Sequence, residues 1–454
     1  MTSLSTPTPG PAGLAAQGSS SIPADWKDAF VPCTLLVVTF ALGGTSGSIP
    51  IRGGVIELLA ILAIIYSLTN WRAPRPHLIA IIATVVIVML PIIQLVPLPP
   101  GIWTQLPGRE LAADIARLGE SSPWRPISLD SAATLIGGLS LLAPVGMFLA
   151  VLQTTSQQRM MLIATHACLA GLSLLLGAIQ VTTGALYLYV VKVPVLLPTG
   201  FFSNRNHQAL FLVTGALSAM IMASRVPRSR RAKFIWFGLA ITLATGTFAT
   251  ASRAGMALLI LPAILAVIMV RSDKLKWTHA VSGLVGILLL GLVLSRSSVV
   301  SHAIERFAGL ETGRYTFWPE VWYSVKSYFP VGAGIGTFER TYQATENLDT
   351  VGKYYVNRAH NDYLELLLEV GAAAPVIFTV IGAFIALSAR RILTLAPRSD
   401  DRMAVTLALF GLVACALHSL VDYPLRSFAH LTYFAMLLGF LCLPYERPLP
   451  ATTR

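Results

Sequence analysis

Residues 78–97 read LIAIIATVVIVMLPIIQLVP, twenty positions without one ionisable side chain. That is the length an α-helix needs to cross the hydrocarbon of a bilayer, where each backbone polar group has to be satisfied inside the segment. Comparable apolar runs recur at about 30–43, 55–69, 132–152, 160–181, 208–223, 234–250, 255–270, 279–295, 364–388, 403–421 and 430–444, twelve segments in all. The first two are short, and a tight turn around Ser252 joins the seventh and eighth. Of 454 residues, 55% are hydrophobic and 12% charged, and the mean hydropathy is +0.69. A soluble domain carries roughly a quarter charged residues, so an ordinary cytosolic enzyme is excluded. The expectation is an all-α integral membrane protein of about twelve transmembrane helices.

The flanks of these runs set the topology. Residues 1–29 are rich in Ser, Thr, Pro, Ala and Gly and lack a basic stretch ahead of an apolar one. They read as a disordered tail, not a cleaved signal peptide, and 445–454 as a second, shorter tail. No repeat suggests the related halves of a transporter. The four cysteines, Cys33, Cys168, Cys415 and Cys442, sit in apolar runs without paired spacing, so neither a disulfide framework nor a zinc site is indicated. The formal charge of +12 would point to nucleic acid in a soluble protein. With both termini on the cytoplasmic side, however, that side collects 18 of the 33 basic and 6 of the 21 acidic residues, leaving 15 of each elsewhere. The whole excess lies on one face, as the positive-inside rule requires. A nucleic-acid partner is not expected.

This orientation puts the long loops outside: near 98–131, near 182–207, and a largest one at 296–363. Helical spacing of aromatics in the last predicts small helices, with a Gly-rich turn, PVGAGIGTF, at 330–338. The spans then divide into 30–295 and 364–444 around that loop. Four outer clusters hold a basic residue: SNRNH at 203–207, TASRAG at 250–255, GRYTFW at 313–318 and RAHNDYLE at 358–365. Ionisable groups at membrane depth mark function more often than not. Each also has a plainer reading. Arg253 suits a headgroup anchor, Arg205 a loop hydrogen-bond hub, and Arg314 an ion pair with Glu311 or Glu320. Near His360, Asn361 or Asp362 suits a helix cap, with Glu365 completing a capping box from Asp362. The Gly332, Gly334 and Gly336 spacing favours a flexible turn over a phosphate loop. Trp318, Trp322, Tyr323, Tyr328 and Phe329 favour a small loop core or an interface anchor over a sugar platform.

Jointly, several arginines and a histidine on one face, without carboxylates at metal-ligand spacing, point to an anionic substrate held without a metal or other cofactor. Guanidinium forks suit a diphosphate, and a histidine beside it suits proton transfer from an attacking hydroxyl.

The SRAG turn at 252–255, GRYTFWPE at 313–320, PVGAGIGTF at 330–338 and AHNDYLELLLEVG at 359–371 resemble the O-antigen ligase and Wzy-type polymerase superfamily. PWRPISLD at 123–130 and FFSNRNHQA at 201–209 are similar to outer segments of many of its Gram-negative members. The resemblance runs from about 90 to 440 and implies a GT-C-like glycosyltransferase of the bacterial inner membrane with a large periplasmic helical loop. It implies transfer of a glycan from undecaprenyl diphosphate to an acceptor glycan or lipid A–core without a metal. Arg253 and Arg205 match positions expected to hold the diphosphate, and His360 matches the proposed base or phosphate partner. Arg314 and Arg358 join them as substrate contacts. Asn361, Tyr363, Glu365 and Glu369 are assigned support, the two glutamates orienting His360 or Arg358. Asp422 pairs with Arg426 or orders the cavity. Ligation, polymerisation and protein O-glycosylation share this pattern, and a flippase for lipid-linked sugars is the rival from another class.

Overall fold

The computed structural model describes residues 26–47, 49–71, 78–121, 123–189, 197–225, 229–273, 317–349, 351, 355–396 and 399–442. Helices account for nearly all the regular structure in them. In chain order these are α1 (Trp26–Leu42), α2 (Pro50–Thr69), α3 (Leu78–Leu95), α4 (Pro100–Trp103), α5 (Glu110–Leu118), α6 (Ser131–Ser140), α7 (Leu142–Leu152), α8 (Ser156–Thr183) and α9 (Arg205–Ser224). They continue with α10 (Arg230–Ala249), α11 (Arg253–Leu258), α12 (Ile260–Asp273), α13 (Trp318–Tyr328), α14 (Phe338–Gln343), α15 (Asp362–Val370), α16 (Ala373–Ala389), α17 (Asp400–His418) and α18 (Phe428–Leu441). The strands β1 (Pro97–Leu98) and β2 (Arg125–Pro126) pair antiparallel, Pro97 opposite Pro126.

Eleven of the twelve apolar segments coincide with helix, and 279–295 lies outside the described residues. Six helical stretches are long and apolar enough to cross a membrane: α2, α6 with α7, α8, α9, α10 and α17. Five shorter apolar helices accompany them. The chain is a multi-pass membrane protein by these features. The ends of the helices are written in their caps. Asn204, Ser252, Asn361, Ser399 and Ser427 each turn a side-chain oxygen onto the first free N–H groups of the helix that follows. The capping box expected from Asp362 does not form. Asn361 is the cap, and Glu365 reaches past it to accept from the Ala359 N–H at 3.0 Å.

Helix α9 is the axis of the bundle: 89% of its apolar window is buried, against 22% for α2. Helices α8, α10, α11, α12 and α17 pack around it, and α18 joins α17 to α7. Phe40, Phe202, Phe211 and Tyr433 fill the interior with His166, whose ring stacks on Tyr433 at 4.1 Å.

The bundle has two chemically distinct ends. At one, Arg225 pairs with Asp400 at 2.8 Å and Arg159 pairs with Asp401, tying the start of α8 and the end of α9 to the start of α17. The other end gathers the end of α1, the starts of α9, α11, α15 and α18, and the end of α17. Over it lies a cap made of α4, α5, α13 and α14. The cap has its own apolar cluster, built from Val321, Val325, Tyr328, Phe338, Tyr342 and Leu368.

Candidate active site

Asn204, Arg253 and the 358–362 loop come together because three separate contacts draw their backbones to one end. The Asn204 Nδ2 lies 3.5 Å from Asp422 Oδ1. The second contact is a pair of bonds between one loop and the end of α17, Asn361 Nδ2 donating to Leu420 O at 3.0 Å and Asp362 N to Ser419 O at 3.0 Å. The third contact explains the SRAG turn. A Cβ on Gly255 would stand 2.4 Å from Ala209 Cβ, so only glycine lets α11 lie this close to α9. Ala209 is one turn after Arg205 and Gly255 is two residues after Arg253. The close approach therefore brings both arginines, each the first residue of its helix, to the same corner. Helix starts carry partial positive charge and spare N–H donors, which suit an anion.

His360 is presented on a pinned loop. Ala359, fully buried, donates its N–H to Glu365 and accepts at its carbonyl from Trp318 Nε1 at 2.9 Å. The next residue, His360, takes the left-handed backbone with φ 50°, uncommon for a residue with a side chain and characteristic of functional loops. Its ring lies edge-on to Tyr423 at 4.7 Å, and Nδ1, itself buried, faces Asp422 Oδ1 at 3.6 Å. One fifth of the side chain remains exposed.

Asp422 is the hub of this end. Its side chain is fully buried and accepts from Tyr423 N at 2.9 Å. His207 Nε2 lies 3.9 Å from Oδ1 and His418 Nε2 lies 3.9 Å from Oδ2. Sequence reasoning passed over both histidines. The i,i+4 spacing of His418 and Asp422 is the signal that could have found one, and the SNRNH cluster already contained the other. Among the described residues no three His, Cys, Asp or Glu side chains converge as metal ligands do.

The supporting residues form a second network beneath the loop. Arg358 donates to Glu365 Oε1 and to Ser46 O, each at 2.8 Å. Arg426 does not turn toward Asp422 as one reading expected. It donates to Glu369 Oε2 at 2.6 Å, and its Nε lies 3.3 Å from Glu365 and 3.5 Å from Asp362. Burial pushes the Asp362 carboxyl up to about 7, against the pull of Arg426 and a hydrogen bond from Ser419. Tyr363 donates from its hydroxyl to Ala416 O at 2.9 Å, fastening α15 to α17.

The glycine turn is not slack, contrary to expectation. Gly336 N donates to Glu369 Oε1 at 2.8 Å, φ there is 81°, and a Cβ would stand 2.7 Å from Ala133 O. The turn serves packing between the cap and α15. Of the aromatics, Tyr328 is buried in the cap, while Trp322, Tyr323 and Phe329 are about half exposed. Arg314 lies outside the described residues.

Residues 237–379, roughly a third of the chain, match the family model described as O-antigen ligase. That stretch is similar to the O-antigen ligase family. The match takes in Arg253, His360 and the Arg358–Glu369 block, and it supports a ligase- or polymerase-type function in general terms. Arg205, Asp422 and Arg426 lie outside the matched ligase residues; Asp422 reaches them at His360 and Arg426 at Glu365. No curated protein matches the sequence.

Proposed function

We propose that the protein transfers a glycan from an undecaprenyl-diphosphate donor to an acceptor hydroxyl on the periplasmic face of the bacterial inner membrane, without a metal. One observation carries the reading. His360, facing buried Asp422, shares an end of the bundle with Arg205 and Arg253 at capped helix starts. The charge asymmetry of the loops supports a periplasmic location for that end.

In this mechanism Arg205 and Arg253 hold the donor diphosphate and stabilise the charge that grows on it as the glycosidic bond breaks. The acceptor hydroxyl attacks the anomeric carbon from the opposite side, giving inversion. His360 takes the hydroxyl proton, and Asp422 steadies the resulting imidazolium. Lipid diphosphate leaves with the electron pair of the broken bond. Arg358 and Arg426, already bound to carboxylates, hold the loop that carries His360. The acceptor is a polysaccharide repeat unit or lipid A–core.

The test is transfer by purified protein given a lipid-diphosphate glycan and candidate acceptors. His360→Ala and Arg253→Ala are expected to abolish product while leaving membrane insertion intact. Full activity in His360→Ala would sink the base assignment. A ladder of products identifies a polymerase, a single added glycan a ligase, a glycosylated protein the third member of the set, and transbilayer movement without bond formation the flippase.

A further inference from the structure

Helix α5 is built with three faces. Counting 100° per residue, Leu111, Ile115 and Leu118 fall within an arc of roughly 60°. Ala113 and Ala116 lie on the opposite side, buried against Trp103 in a small separate cluster. Glu110, Asp114 and Arg117 occupy the flank between, with Asp114 and Arg117 paired in solvent. A helix that served only to pack would bury its largest apolar residues. This one buries alanines and exposes Leu111 by 75%, Ile115 by 57% and Leu118 by 87%.

The surroundings say what covers that face. Helix α3, an apolar helix, exposes Ile82, Val86, Met89 and Ile93 along one side, the stripe a lipid-facing helix presents. Val96 and Ile102, which follow it in the chain, are exposed as well, and Ile102 stands eight residues before the start of α5. Trp124, 65% exposed, stands on the return strand segment beside Arg125, itself over the Trp103 ring at 5.1 Å. Tryptophan at the level where apolar surface gives way to charge is typical of the headgroup region.

We propose that α5 lies in the plane of the membrane interface, with Leu111, Ile115 and Leu118 inserted in the acyl boundary of the lipid leaflet at the cap end. The charged flank then faces water, and the alanine face joins the cap. Such helices bury their apolar face about 5–10 Å into the headgroup–acyl boundary. The attachment reaches the site through two neighbouring residues. Gly108 packs on the Tyr328 ring, where a Cβ would stand 2.4 Å away, and Arg109 donates to Gly332 O at 3.0 Å. The leaflet thereby sets the height of the cap above His360. This inference rests on the multi-pass membrane character of the chain and is independent of the transferase reading.

The test places a benzophenone amino acid in the full-length chain at Leu111, Ile115 or Leu118, at Asp114 or Arg117, and at Val86 as the lipid-facing reference. Each variant is reconstituted in vesicles of phosphatidylethanolamine and phosphatidylglycerol, irradiated, and analysed for phospholipid adducts by mass. The expected result is adducts at the three apolar positions at yields like that of Val86 and several-fold above those at Asp114 and Arg117. Equal yields on both faces, adducts at Val86 alone, or cross-links to protein at positions 111, 115 and 118 would each overturn it, the last by assigning the face to a second copy or to this chain.

Discussion

Gly255→Ala is expected to part α11 from α9 and so to separate the two arginines that those helices present. The added Cβ would stand 2.4 Å from Ala209 Cβ, whereas carbon atoms in contact settle at about 3.5–4.0 Å, so the helices have to move apart by about 1 Å. Overpacking of this kind costs about 1–3 kcal/mol, and alanine returns about 1 kcal/mol of helix propensity, leaving a net loss of about 0–2 kcal/mol. The protein therefore still folds. The transfer rate should suffer far more, by about a hundredfold, because a displacement of about 1 Å is enough to spoil an aligned charge. Ala209→Gly supplies the control. With the opposing Cβ removed, the next atoms that the new methyl meets are Thr247 Cγ2 at 3.3 Å and Ser252 Cβ at 3.4 Å, which it can accommodate. The double variant should recover most of the lost rate. Thermal unfolding of the purified protein and the rate of glycan transfer, measured for the four members of the cycle, decide the matter. A wild-type rate in Gly255→Ala, or a double variant no faster than the single one, refutes the argument.

Arg426→Met takes its arginine partner from buried Glu369 and leaves Glu365 to Arg358, and is expected to lower stability by about 3–5 kcal/mol, read as a large fall in unfolding temperature; an unchanged temperature would show that the network contributes nothing. The Asp362 carboxyl, raised by burial from 3.8 to about 7, keeps in the folded chain a proton that it loses on unfolding. The folded state thus binds more protons, so this group's contribution to stability falls as pH climbs from about 4 to about 7 and is level above, with a slope of at most about 1.4 kcal/mol per pH unit. Asp362→Asn should remove that slope from a pH series of unfolding temperatures, and an identical slope in the variant would contradict it.

The helices were legible because an apolar run of membrane length admits few other structures, and one cap because Asn361 stands where an apolar run begins. The joining of the outer clusters was partly legible: the loop order already put 203–207, 250–255 and 358–365 on one face. What the sequence withheld was pairing between distant residues. Glu365 takes Arg358, the local partner the sequence offered, but Glu369 takes Arg426, fifty-seven residues on, which nothing nearby in the sequence announced. Asp422 next to Arg426 looked like an ion pair, but the chain turns between them, sending one to the histidines and the other beneath the loop. The glycine turn misled for a related reason. Gly336 owes its presence to Ala133, some two hundred positions away, and nothing local announces that neighbour.

Ala359 is held by a hydrogen bond to each of two bodies: its N–H donates to a glutamate of the bundle, and its carbonyl accepts from a tryptophan of the cap. The peptide leading into His360 is therefore a joint between the cap and the bundle. A tilt of α13 would pull on the Ala359 carbonyl and so on the left-handed residue after it, whose imidazole faces Asp422. The aim of the histidine then follows where the cap sits, so in the proposed transfer a glycan bound outside the bundle would have a mechanical route to the proton that the reaction moves.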